Sequence, residues 1–218
     1  MFGQILYTQM KWSRAAIALM SVVAFAMPAG LWRAMHGSYY RSVSAMEVLS
    51  GFSALGFVLA LVAFLTGFVL VAQAWQVDAS ARHVYPLSLP IAWSRYVALR
   101  FGAGAVLLVI PATALWLGCL LVLALIQVPE TLHAYPTTLA LRFLLGSLVG
   151  YAVVFAVQYL SAKKAAHVFA AVLFAFAVFA VTAEITGNQA MVNRFFAVLF
   201  DWPGPLAVFG SEWMLIDV

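Results

Sequence analysis

The residues able to do covalent or metal chemistry are few and scattered. Four histidines, His36, His83, His133 and His167, could supply a base or zinc ligands, but none is followed by Glu, so the zinc-helix pattern is absent. Cys119 is the single cysteine and falls in an apolar run, so neither a disulfide framework nor a thiolate metal site is available and the residue reads as packing. Ser53, in Gly51-Phe52-Ser53-Ala54, approaches the nucleophile motif of intramembrane serine proteases. It lacks the glycine directly after it and reads as a small residue at a helix interface. A phosphate-binding loop needs a Lys after Gly, and Lys11, Lys163 and Lys164 all follow other residues. Haem ligation would want histidines facing each other within apolar spans, and only His167 is near one. No catalytic residue, metal or cofactor is therefore expected of this chain.

The elements that would position any site are membrane helices. With 66% hydrophobic and 8% charged residues and a mean hydropathy of +1.05, the chain falls outside the range of soluble domains. The expected fold is an all-α polytopic helix bundle in a lipid bilayer, forming a single transmembrane domain of about five or six spans. Residues 1–14 mix Phe2, Ile5, Tyr7 and Trp12 with Gln4, Gln9, Lys11 and Arg14, the composition of an interfacial helix. Spans are expected over 15–32, 51–73, 101–126, 139–159 and 166–183, each uncharged or nearly so over the 18 or more residues that hydrocarbon requires. Lys11 and Arg14 ahead of 15–32 imitate a cleavable signal, but this stretch is read as the first span. Pro111 marks a kink in the third span. In 188–218, Arg194, Asp201, Pro203, Pro205, Glu212 and Asp217 interrupt every span-length window, so an outer re-entrant or irregular sixth segment is expected.

None of these spans carries an ionisable residue at its middle, where an ion-coupled carrier would keep its binding group, and Glu184 lies at an outer boundary. Gly146 and Gly150 form a small-xxx-small pair suited to close helix packing. The basic residues are unevenly distributed. Lys11, Arg14, Arg82, Arg95, Arg100, Lys163 and Lys164 share one side, and Arg33, Arg41, Arg142 and Arg194 the other. The amino terminus and the 73–100 loop are accordingly expected in the cytoplasm. A net charge of +4 without a clustered basic face gives no footprint for nucleic acid.

The loop itself is aromatic and divided by Pro86 and Pro90. Trp75, Tyr85, Trp93 and Tyr96 suit an interfacial aromatic belt. A short helix over 74–84 turned at Pro86 would alternatively present Asp78, Arg82, His83 and Tyr85 as a knob for a protein groove. At these residues the sequence resembles the membrane (permease) subunits of type-2 ABC transporters. The resemblance rests on the N-terminal helix, the two spans after it, and Tyr85-Pro86-Leu87-Ser88-Leu89-Pro90 leading through Arg95 into the third span. It implies a non-catalytic exporter subunit of a bacterial inner membrane, paired with a second permease copy or homologous permease. It also implies a coupling helix formed by Trp75, Asp78, Arg82, His83 and Tyr85 that rests on a separate ABC ATPase subunit, with a second cytoplasmic contact at 161–166. Family members usually end in a sixth span returning to the cytoplasm, from which 188–218 departs. The alternatives are an anchor or assembly subunit of a larger complex and a membrane-embedded enzyme using Ser53 or His83.

Overall fold

The computed structural model describes residues 1–35, 45–80, 92–125, 133–159, 189–201, 203–204, 206–210, 213 and 215–217, with single residues between 167 and 182. The helices with described bounds are α1 (Phe2–Met35), α2 (Ala45–Ser80), α3 (Trp93–Leu107), α4 (Val109–Leu125), α5 (Pro136–Tyr159), α6 (Gln189–Phe200) and the single turn α7 (Ala207–Gly210). Two short strands, β1 (His133–Ala134) and β2 (Ile216–Asp217), complete the described elements. Among the described residues, four helical stretches are long and apolar enough to cross a membrane: Phe2–Gly30, Val58–Trp75, Trp93–Leu125 and Pro136–Gln158. The protein is an all-α, multi-pass membrane helix bundle. The fifth expected span, 166–183, lies mostly outside the described residues. Those described within it are helical, and Phe174, Val178 and Val181 form an exposed apolar stripe at helical spacing.

The boundaries differ from expectation most clearly in two places. Residues 1–14 do not form a helix of their own, because α1 runs unbroken from Phe2 to Met35, about 51 Å at 1.5 Å per residue. Between Gln4 and Met27 there is no Gly or Pro to end it, and the polar Gln9 and Ser13 are buried on the same stripe as Ile5, Ile17 and Met20. The third span begins earlier than expected, at Trp93, and breaks at Leu108. The break follows from Pro111, which has no N–H to give the carbonyl of Leu107, four residues earlier. The ladder resumes around it, with Leu108 N–H donating to Gly104 O at 3.2 Å and Ala112 N–H to Leu108 O at 3.3 Å.

The chain forms two compact units, Met1–Val154 with Glu212–Val218, and Phe155–Ser211. In the first, α1 packs against α2, α3 and α4. Ile5 meets Tyr96 and Ala103, and further along Gly118 of α4 fits against the backbone of Phe25, so α1 runs parallel to α3 and α4. α2 and α5 approach each other closely at two glycines. A Cβ on Gly67 would overlap the carbonyl of Ser147, and one on Gly150 would lie 2.8 Å from the carbonyl of Phe64. In the second unit, the chain doubles back after α6 at Gly204. Leu206 N–H donates to Leu199 O at 2.9 Å, and a Cβ on Gly204 would fall 2.5 Å from Val198 O, a space that only glycine leaves open.

β2 pairs antiparallel with β1, His133 opposite Asp217 and Ala134 opposite Ile216. That pairing holds Asp217 at the α4–α5 connection, while Phe2 and Ile5 lie beside α3 at its other end, near Gly102 and Tyr96. Met1 and Asp217 are thus at opposite ends of the helices. Impermeant labelling of single cysteines at residues 3 and 217 in intact cells or spheroplasts is expected to modify them from opposite faces. Labelling of both sites from one face would refute this arrangement.

Candidate functional site

The most concentrated polar chemistry in the described residues lies inside the first unit, near the start of α1. Arg100, on α3, is only 3% exposed. A buried guanidinium survives in such surroundings only if its donors are used and its charge is stabilised. Arg100 Nη1 donates to Tyr96 Oη, one helical turn earlier, at 3.0 Å, and Nη2 donates to the carbonyl of Ala74 on α2 at 2.9 Å. The flat cation also faces two rings, 4.8 Å from the centroid of Trp75 and 5.8 Å from that of Tyr96.

A second layer extends the cluster to α5 and α1. Tyr151 Oη donates to the backbone carbonyl of Arg100 at 3.4 Å and accepts from Gln9 Nε2 at 3.5 Å, both long bonds. Tyr151 reaches this position because Gly104 has no side chain: a Cβ there would overlap the phenol. Phe101 flanks the same ring with centroids 5.3 Å apart. Gln9 Oε1 and Ser13 Oγ, one turn apart on the buried stripe of α1, have no hydrogen-bond partner. Elsewhere in the first unit, the hydroxyls of Thr66 and Ser147 bond back to the carbonyls of Val62 and Phe143.

The cluster joins α1, α2, α3 and α5 but assembles neither a nucleophile with a base nor a set of metal ligands. Among the described residues, no three of His, Cys, Asp and Glu come together. His133 and His167 are exposed on separate elements, and Cys119 is buried in α4.

Two of the expected partner-binding residues fall on described backbone. Trp75 and Asp78 lie on α2, which continues to Ser80 as one helix rather than restarting as a separate short one. Trp75 is half-buried, with its ring against Arg100. Arg82, His83 and Tyr85 lie outside the described residues, as does the second expected contact at 161–166. Gly150 meets the Phe64 backbone of α2, and Gly146 is buried on the same helix.

Sequence reasoning assigned Arg100 to the cytoplasmic loop, and the burial of that residue was missed. The available signal was local: Tyr96 and Arg100 are four apart at the head of a long uncharged stretch, so they share one helix face. Comparison with models of protein families, with curated proteins and with solved structures returned no match.

Proposed function

We propose that this chain is a non-catalytic transport subunit, a permease of the type-2 ABC exporter kind, driven by a separate ATPase subunit in a bacterial inner membrane. In this reading its amino terminus is cytoplasmic, in keeping with the uneven distribution of Lys and Arg. The observation that carries the reading is the Arg100 clamp. Segment 81–91, which holds the Tyr-Pro-Leu-Ser-Leu-Pro stretch, joins the end of α2 to the start of α3. Arg100 fastens these two helices to each other, and Tyr151 and Gln9 bring in α5 and α1. A displacement applied to 81–91 by a partner would therefore be passed to four helices at once instead of being absorbed by one. This is the mechanical property required of a subunit whose energy comes from another chain.

Purification of the tagged chain in mild detergent, with mass spectrometry of what accompanies it, tests the proposal directly. An associated nucleotide-binding protein is expected, with ATP hydrolysis that falls severalfold when Asp78→Lys or Arg82→Glu reverses a charge at the expected contact. Both variants should retain the wild-type elution volume, because the changes lie at the end of α2 or beyond it. A partner without ATPase motifs would favour the assembly-subunit reading, and a chain that purifies alone would count against both.

A further inference from the structure

We propose that Trp213 and residues 215–217 act as a strap that opens as a unit, uncovering a cleft between α2 and α5 while the helices remain folded. α2 and α5 are in backbone contact at Gly67 and Gly150, but toward the α4–α5 connection the tail comes between them. There Trp213, 2% exposed, rests on α2 at Gly56, where an added Cβ would lie 3.3 Å from Trp213 Cβ. The guanidinium of Arg142 on α5 stands 5.5 Å from its ring centroid. Leu215, also buried, accepts a hydrogen bond from Tyr135 N–H at 2.8 Å, and β2 pairs with β1 immediately beyond. Trp213 thus fills a wedge that the two helices leave between them.

The strap is held by the burial of Trp213 and Leu215 and by its pairing with β1, whereas α2 and α5 also meet directly at Gly67 and Gly150. Two residues of strand pairing are marginal by themselves. The chain's one cysteine is in α4, so no disulfide ties the strap down. The Gly67 and Gly150 contacts involve no strap residue. Elements attached in this way open locally at a fraction of the cost of global unfolding. Opening would expose the Arg142 side of α5 and the Gly56 side of α2 together, since Trp213 covers both, its backbone and Cβ against Gly56 and its ring against Arg142.

Hydrogen exchange of the purified protein in lipid nanodiscs tests this. The amides of Tyr135 and of 215–217 are expected to exchange at least tenfold faster than amides near Gly150. A reducible lock supplies the second measurement. The Tyr135–Leu215 bond makes Ala134 and Ile216 a non-hydrogen-bonded pair, whose Cα atoms are about 4.5 Å apart and within disulfide range. Oxidised Ala134→Cys/Ile216→Cys, in a Cys119→Ala background, should slow exchange of the Tyr135 and 215–217 amides at least tenfold, and reduction should restore it. Equal rates for strap and helix amides in the wild-type protein would overturn the proposal, as would an oxidised lock that leaves the Tyr135 and 215–217 amides unchanged. The wild-type comparison decides the matter even if the locked variant fails to fold.

Discussion

Gly67→Ala is expected to lower the thermal midpoint of the purified protein by about 10 °C, and Gly67→Leu to abolish the monodisperse species altogether. At this position the added Cβ meets backbone on α5, at the Ser147 carbonyl and the Tyr151 nitrogen, and no side chain can swing aside to receive it. Overpacking against a movable side chain typically costs 1–3 kcal/mol, and an immovable neighbour puts Gly67→Ala at the upper end, about 3 kcal/mol. For a chain of about 200 residues each kcal/mol corresponds to roughly 3 °C. Gly30→Ala is the matched control. It is also a helical glycine, but nothing lies within 4 Å of its added methyl, so it should be neutral or gain up to about 1 kcal/mol from helix propensity. Fluorescence-detected size exclusion after heating steps reads both variants. Equal midpoints for Gly67→Ala and Gly30→Ala would refute the close approach of α2 and α5.

Arg100→Met is expected to cost about 3 kcal/mol, despite replacing a buried charge with an apolar, unbranched chain. Two hydrogen bonds from a charged donor are lost, each worth about 1.5–3 kcal/mol, together with about 1–2 kcal/mol of cation–ring attraction. Relief from burying the guanidinium offsets part of that loss. Arg100→Lys should be nearly as damaging, because a single ammonium cannot reach both Tyr96 Oη and Ala74 O and lacks the flat face that meets Trp75. The pair of variants separates geometry from charge: a harmless Lys would mean that charge alone matters there. Arg95→Met, at an exposed position on the same helix, should stay within about 0.5 kcal/mol. If the clamp links the helices as proposed, Arg100→Met should also reduce the partner's coupled ATP hydrolysis under conditions where the variant remains folded.

Much of the architecture is legible in the sequence because hydrocarbon imposes a strict local condition. Each span must be uncharged over about 20 residues and satisfy its own backbone. That condition marks out the apolar centres of α1, α2, α4 and α5 and explains why Pro111 interrupts the third span three residues after the break it causes. The same reasoning misplaced the helix ends. The polar residues Gln9 and Arg100 suggested an interface or loop, whereas each is covered by neighbouring helices. Polarity is a property of the residue, but burial depends on which helix packs over it.

By itself, the sequence determined the membrane class, the approximate spans, the absence of a recognisable catalytic motif, and the small-residue face at Gly146 and Gly150. Only the tertiary structure decided that Gly150 meets α2 at Phe64 and that Gly67 meets α5 at Ser147. It alone decided that Trp75 turns to Arg100, and that Trp213 returns to fill the wedge between Gly56 and Arg142. The physical reason is range. Spans and kinks arise from interactions within a few residues and the surrounding solvent, so composition and spacing reveal them. The Arg100 clamp joins α1, α2, α3 and α5, and the strap joins α2 and α5 to a segment more than 70 residues beyond Arg142. Such contacts depend on helix docking, for which a single sequence carries no local signature.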